Sequence, residues 1–264
     1  MTSIVLGFSA IALYLLGWIG YTLEIINKGR IKVYLIQALT ALTIVLHGFA
    51  IFGLLFQHGG LDLSLLKILA LLALVINSLV FLNGLREPIN SLYLILFPIS
   101  ALTLTFALES PSTKSTTILP YSLQAHILTS VLAYSFLAIA ALHALLAGYQ
   151  NWQLKHKHQN ALMRTLPALE TMEKLLFKLI WLGEILLTAS LLTGFHVYDD
   201  FFAQQLIHKV TFSIIAWLVY AVLIFGRYHQ GWRGQRAINW TWVGFSAILL
   251  GYLGSKFVIE YILT

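Results

Sequence analysis

Residues 33–56 of the chain read VYLIQALTALTIVLHGFAIFGLLF, an apolar run without a single Asp, Glu, Lys or Arg. A helix needs roughly 20 apolar residues to cross about 30 Å of hydrocarbon, so this run predicts a transmembrane helix. Seven further runs are apolar and long enough for the same prediction. The eight predicted spans are 4–25, 33–56, 63–82, 89–108, 121–149, 172–196, 202–226 and 237–262.

The composition excludes a water-soluble protein. Hydrophobic residues make up 59% of the chain and charged residues only 10%, whereas soluble domains carry about 25% charged residues. Segments in lipid must satisfy their own backbone groups as helices or a closed barrel, and these continuous runs lack a barrel's alternating polarity. We therefore predict an all-α, polytopic membrane bundle. It forms one integral-membrane domain over 1–264, with four spans in 4–108 and four in 120–262.

Basic residues alternate between the connections, which indicates the orientation of the bundle. Every second connection is rich in Lys and Arg: Lys28, Arg30 and Lys32; Arg86; Lys155, Lys157 and Arg164; and Arg227, Arg233 and Arg236. Because cytoplasmic loops carry the excess of Lys and Arg, this pattern predicts an N-out and C-out topology. The net charge of +6 is thereby explained by the lipid bilayer, without a nucleic-acid partner.

Two further features restrict the chemistry and the processing of the chain. It contains no cysteine, which excludes thiol redox chemistry, disulfides and a thioether-bound haem. The first apolar segment lacks a basic n-region and is long enough to remain in the membrane, so we expect no cleaved signal peptide. The connection 150–172 is the largest predicted cytoplasmic segment; helix five continues into it, and Pro167 lies near the start of helix six.

Four of the nine histidines fall in the interior of predicted spans, at His47, His126, His143 and His208. Ionisable groups are costly in a bilayer, so they are functional candidates. His47 lies about 15 Å, and His126 and His208 about 9 Å, inside the external ends of their spans. Two histidines at similar depth can ligate a haem iron from both sides, and an apolar, aromatic cavity suits the porphyrin. Each histidine could instead hydrogen-bond a facing helix.

Other polar residues have simpler expected roles. Glu184, near the middle of span six, is expected to be protonated or paired. Lys256 and Glu260 are one turn apart and are expected to pair near the external end of span eight. The remaining histidines are expected at wet boundaries: His58, His156, His158, His196 and His229.

Two motifs in the second half resemble the cytochrome c assembly proteins, the haem-handling membrane proteins of CcsA, HemX and CcmC type. They are the run His126-Ile-Leu-Thr-Ser-Val-Leu-Ala-Tyr134 and the run HKVTFSIIAWLVYAVLIFGRYHQGWRGQRA at 208–237. Together with GSKFVIE at 254–260, they resemble most the YpjD branch of bacterial inner-membrane proteins. The resemblance covers about 120–262, and the first four spans match only in hydropathy and in His47. It implies a multi-pass location in the bacterial inner (cytoplasmic) membrane.

The resemblance also implies a set of site residues. His126 corresponds to an axial haem ligand on the external side. The family's tryptophan-rich segment corresponds to LIHKVTF at 206–212, where Lys209 and Thr211 match but the tryptophans, the aspartate and the proline are absent. Trp217 matches further on. Tyr134 and Trp217 are expected to pack against the porphyrin, and Lys209 to provide a charge for a propionate.

The second axial ligand is not given by the family pattern, because the last span ends VIEYILT without the family's external histidine. His47 is the first choice and His208 the second. The resulting prediction is a non-enzymatic protein that holds or relays non-covalent haem b through His126 in the outer half of the bundle.

Two alternatives stay open at this point. YpjD-type relatives imply a divalent-cation (cobalt or magnesium) transporter or an accessory to one, with Glu184, His47 and His143 lining the ion path. HemX-type relatives imply a cofactor-free regulatory scaffold that acts on another membrane protein through the basic loops.

Overall fold

The computed structural model describes residues 2–26, 33–57, 60–85, 90–110, 120–157, 160–197 and 207–254. Over these residues the chain is almost entirely helical, which confirms the all-α prediction. The exception is a two-residue antiparallel pair in which Phe56 lies opposite Leu61.

The elements follow one another in this order: α1 (Thr2–Ile26), α2 (Val33–Leu55), β1 (Phe56–Gln57), β2 (Gly60–Leu61), α3 (Leu65–Gly84), α4 (Tyr93–Glu109), α5 (Tyr121–Lys155), α6 (Ala161–Thr165), α7 (Leu169–Val197), α8 (Ile207–Gln230) and α9 (Gln235–Leu249). A 3-10 turn at Asn90–Leu92 precedes α4, and a π-helical turn at Leu250–Gly254 follows α9.

Each predicted span corresponds to a helix. Among the described residues, α1, α2, α3, α5, α7 and α8 are long and apolar enough to cross a membrane. Helix α4 is also apolar but has 17 residues, with Pro98 inside it. Helix α9 and its π turn occupy the first part of the predicted eighth span, and the rest of that span lies outside the described residues. The chain is a multi-pass membrane protein.

The first compact unit, here called unit 1, comprises Met1–Ile118 and Gln159–Pro167. Helices α1 to α4 pack consecutively side by side, and α1 also packs against α4, so the four helices close into a ring. This is the neighbour pattern of an up-and-down bundle with short connections. The hydrophobic core draws on all four helices, with Ala10, Ile51, Ala70 and Leu104 buried in it.

The second compact unit, unit 2, comprises Leu119–His158 and Ala168–Thr264. Its four long helices, α5, α7, α8 and α9, form a ring of the same kind, and the interface between α5 and α7 is the most extensive. Small residues permit this close approach. The side chain of Leu137 on α5 lies 2.5 Å from the position that a Cβ of Gly183 on α7 would occupy.

Several detailed predictions can be compared with these elements. Helix α5 continues into the connection 150–172, as predicted, and ends at Lys155. Helix α7 begins two residues after Pro167. Gly251 in the π turn packs closely on α8, since its Cβ would lie 2.7 Å from Phe212, whereas Gly254 has no such neighbour within 4 Å among the described residues. The connection 109–119 lies mostly outside the described residues, and Lys256 and Glu260 lie entirely outside them.

The short helix α6 was not predicted. Asn160 caps it, because the Asn160 side chain accepts a hydrogen bond of 3.1 Å from the backbone N–H of Met163, and the helix packs against α1 within unit 1. Unit 1 otherwise contains α1 to α4, and unit 2 contains α5 and α7 to α9. The interpretation of the whole chain as one domain and the N-out, C-out topology stay predictions.

Candidate functional site

His126 lies near the start of α5 and is half-buried. Its Nδ1 is 3.0 Å from the backbone carbonyl oxygen of Ser190 on α7. A carbonyl oxygen can only accept, so Nδ1 carries the proton and the lone pair of the neutral ring lies on Nε2. Metal-ligating histidines commonly have this arrangement, with the other ring N–H held by a backbone carbonyl.

Hydroxyl groups around His126 fix the register between α5 and α7. Ser130 and Ser190 hydroxyls lie 2.7 Å apart, and Thr129 and Thr193 hydroxyls lie 3.5 Å apart. The Thr193 hydroxyl is also 3.4 Å from Nδ1 of His126. The orientation of the imidazole is therefore set by two helices.

Tyr134 and Lys209 share one neighbour in unit 2, Tyr252. The rings of Tyr134 and Tyr252 have centroids 5.7 Å apart, and Lys209 Nζ lies 5.9 Å from the Tyr252 ring centroid. The Tyr134 hydroxyl is 3.5 Å from that of Ser213 on α8. Trp217, further along α8, instead donates its indole N–H to Thr188 of α7 at 2.9 Å.

His208 lies exposed in the first turn of α8. The contact between Tyr134 and Ser213 aligns α5 with α8 and so gives the depth of His208 relative to His126. Tyr134 follows His126 by 8 residues, and Ser213 follows His208 by 5. In the predicted topology α5 and α8 run in the same direction. The two histidines are then offset by about 4.5 Å along the helix axes.

His47 has very different surroundings in unit 1. It is fully buried, and its Nδ1 lies 2.9 Å from the hydroxyl of Tyr14 on α1. The ring also faces the backbone of Ala70, but Nε2 forms no hydrogen bond of normal geometry with any described residue.

The Tyr14–His47 pair belongs to a buried polar network that draws one residue from each helix of unit 1. The Tyr14 hydroxyl also interacts with Ser100 of α4, whose hydroxyl accepts a 2.6 Å hydrogen bond from Asn77 of α3. All four side chains are fully buried. Sequence reasoning missed Tyr14, Asn77 and Ser100, although a polar residue within an apolar span is a usable signal.

Unit 1 also contains a buried ion pair that was not predicted. Lys67 Nζ lies 2.5 Å from an Asp62 carboxylate oxygen, with the side chains 1% and 2% exposed. The other Asp62 oxygen accepts a hydrogen bond from the backbone N–H of Ser64 at the start of α3. The carboxylate thus orders the entry into the helix while it neutralises the lysine.

Unit 2 buries ionisable groups without such partners. Glu184 on α7 is 7% exposed, and neither of its carboxyl oxygens has a hydrogen-bond partner among the described residues. His143 on α5 is 3% exposed, and its Nδ1 likewise has none there. The fully buried Tyr220 on α8 donates its hydroxyl to the carbonyl of Thr241 at 3.2 Å.

The predicted cation path would draw Glu184 and His143 from unit 2 and His47 from unit 1. The described part of the chain contains no group of three or more His, Cys, Asp or Glu residues that could hold a metal ion.

The GWRG segment between α8 and α9 forms an ordered turn. Gly231 and Gly234 have φ angles of 66° and 59°, a region that favours glycine. Trp232 packs against Gly226, where a Cβ would come within 2.4 Å of the indole. The N–H of Gly234 donates to Glu173 at 2.8 Å, which ties the turn to α7. His229, like His156 and His196, is exposed as predicted.

Comparison with known proteins defines the family. The family model described as "Cytochrome C assembly protein" matches residues 6–263. The chain belongs to this family. The match confirms the predicted resemblance and extends it through unit 1, beyond the residues that carry the motifs.

Individual relatives agree with this assignment. "Inner membrane protein YpjD" of Escherichia coli strain K12 is 33% identical over 239 residues, which cover 89% of this chain and 90% of the relative. "Cytochrome c biogenesis protein CcsA" of Gloeobacter violaceus is 30% identical over 95 residues, or 34% of this chain and 28% of that protein. No solved structure gives a significant match.

Proposed function

We propose that this protein binds haem b non-covalently in the outer half of unit 2 and holds or relays it, without catalysing a reaction of its own. It is a multi-pass protein of the bacterial inner membrane. That location rests on the six long apolar helices of the described residues and on a relative that is named an inner membrane protein and covers 89% of the chain.

The observation that carries the proposal is the orientation of His126. Its Nδ1–H is held by the Ser190 carbonyl, which leaves the lone pair of the ring on Nε2, the atom that ligates iron. A preoriented imidazole costs less free energy to order on binding than a mobile one. The donor set therefore fits an axial haem ligand.

His208 is the better second ligand within unit 2. It is exposed and lies at a depth within about 4.5 Å of His126 along the helix axes. His47, the first choice from the sequence, is fully buried and bonded to Tyr14.

Three further residues suit the periphery of a porphyrin. Tyr134 and Tyr252 provide adjacent aromatic rings, and Lys209 provides a positive charge beside them for a propionate. Trp217 has its indole N–H bonded to Thr188, so it would contribute only packing. When bound, haem supplies a redox-active iron whose axial ligands can be identified from its visible spectrum.

The test is the UV–visible spectrum, oxidised and reduced, of detergent-purified protein from haem-replete cells. We expect a Soret band and sharp reduced α and β bands, typical of low-spin bis-histidine haem. His126→Ala should lose these bands, and His208→Ala should convert the haem to a high-spin form. His196→Ala is the matched control, because His196 is exposed in the last turn of α7.

Two results would contradict the proposal. One is a colourless wild-type protein that also fails to take up added hemin. The other is a His126→Ala variant whose bands match those of the wild type and of the His196→Ala control.

A further inference from the structure

We propose that Glu184 is a proton-binding site inside unit 2, reached from the predicted cytoplasmic end of α5 past His143 and Gln153. This site is separate from the haem proposal, and none of its residues is an expected haem ligand. The ligand is the proton itself.

The first support is the isolation of the Glu184 carboxyl group. It is 7% exposed, and both of its oxygens lack a hydrogen-bond partner among the described residues. An ionised carboxylate without a partner is strongly unfavourable in a buried apolar site, and such a group takes up a proton instead. An uncharged Glu184 is therefore the form that these surroundings accommodate.

The groups that face Glu184 offer no compensating charge. On α8, Tyr220 interacts with Glu184 electrostatically and donates its hydroxyl to the Thr241 carbonyl of α9. On α5, the titratable residues that flank the level of Glu184 are Tyr134 and His143. The Thr241 hydroxyl is bonded to the Ala237 carbonyl.

The packing of α5 on α7 places His143 between Glu184 and the basic end of the bundle. Ser130 lies beside Ser190 and Leu137 beside Gly183, so residue numbers on the two helices run in opposite directions. Glu184 then lies level with residue 136 of α5. His143 is about 10 Å further towards the predicted cytoplasmic end, and Gln153 about 15 Å beyond His143.

Two positions along this route have a buried polar atom available for water. His143 Nδ1 and Gln153 Oε1 are buried without a hydrogen-bond partner among the described residues. Buried polar groups of this kind are the usual partners of internal water molecules. Water bridging these positions would connect Glu184 to the side of the membrane that carries Lys155 and Lys157.

A proton fits this site better than a metal ion does. Hard cations require about six oxygen ligands, including several carboxylates or carbonyls. The described residues provide no group of three or more potential metal-binding side chains anywhere. Glu184 is therefore a single acidic ligand, which is sufficient for a proton and insufficient for a metal ion.

The experiment is infrared spectroscopy of the purified full-length protein on transfer from H₂O to D₂O at neutral pH. We expect a carbonyl band of a protonated carboxylic acid that shifts on deuteration. Glu184→Gln should lose this band, and Glu184→Asp should move it. His143→Leu should keep the band and slow its shift, whereas His156→Leu, at the exposed end of α5, should leave both unchanged.

The proposal is overturned if the wild-type protein has no such band, or if Glu184→Gln retains it. The route is overturned if His143→Leu exchanges at the rate of the His156→Leu control. Haem spectra of the same samples report separately on the function proposed above. A lost carboxyl band with intact haem bands, or the reverse, therefore shows which of the two proposals fails.

Discussion

Units 1 and 2 are rings of four helices with the same neighbour pattern, yet they differ in the hydrogen-bond partners of their buried polar residues. In unit 1, the buried polar side chains bond one another, as in the contacts Tyr14–His47 and Asn77–Ser100, although His47 Nε2 and Asn77 Oδ1 have no partner among the described residues. In unit 2, Glu184 and His143 bury atoms that have no partner among the described residues. His126 bonds a backbone carbonyl through one ring nitrogen.

This difference indicates a division of roles. Polar networks that link several helices rigidify a bundle and specify one arrangement of its helices. An ionisable group with no side-chain partner, such as the Glu184 carboxyl group, is costly in a membrane and marks a site that binds a ligand or a proton. We infer that unit 1 is mainly a scaffold, and that unit 2 carries the chemistry. The predictions below test this contrast, starting with the largest expected effect.

The buried ion pair of unit 1 should give the largest change in stability. Lys67→Met leaves the Asp62 carboxylate buried and uncompensated, which should cost about 3–5 kcal/mol. The free energy of unfolding, measured by SDS titration of the purified protein, checks this value. The double variant Asp62→Asn with Lys67→Met should recover much of the loss, and a loss below about 1 kcal/mol for Lys67→Met alone would contradict the pairing.

Removal of one tyrosine hydroxyl should change the stability by an intermediate amount and distinguish the two units. Tyr14→Phe leaves Nδ1 of His47 buried without its partner, which should cost about 1–3 kcal/mol. The matched change in unit 2, Tyr134→Phe, removes only a long 3.5 Å contact with Ser213 and should cost less than about 1 kcal/mol. Equal losses of stability in the two variants, measured by thermal unfolding, would contradict the proposed difference between the units.

The smallest effect is expected at Glu184. A neutral, unpartnered carboxyl group contributes little to stability, so Glu184→Gln should change the free energy of unfolding by less than about 1 kcal/mol. Glu184→Leu should be neutral or stabilising for the same reason. A loss of about 3 kcal/mol or more in both variants would instead indicate a charged Glu184 with a strong partner.

The sequence predicted the helices well, because uninterrupted apolar runs allow no other structure in lipid. Even the extension of α5 into the connection 150–172 followed from the sequence. Helix α6 did not, because it has five residues and depends on a cap and on packing against α1. The closure of each unit into a ring also depends on contacts between helices, which hydropathy does not encode.

The site was predicted less completely. The sequence identified His126, His143 and Glu184 as polar residues at membrane depth, but it could not give their partners, because uniformly apolar helices do not reveal their rotation. The Ser190 carbonyl beside His126 depends on the register of α5 against α7. The Asp62–Lys67 pair was missed because both residues stand near a span boundary, where charges are usually solvated.

The most direct test of the central claim compares one histidine from each unit in the haem spectrum. His126→Ala removes the oriented imidazole of unit 2, whereas His47→Gln changes the buried imidazole of unit 1 and keeps a hydrogen-bonding group for Tyr14. We predict that His126→Ala abolishes the low-spin haem bands and that His47→Gln retains them. Loss of the bands in His47→Gln, with bands retained in His126→Ala, would contradict the assignment of haem binding to unit 2.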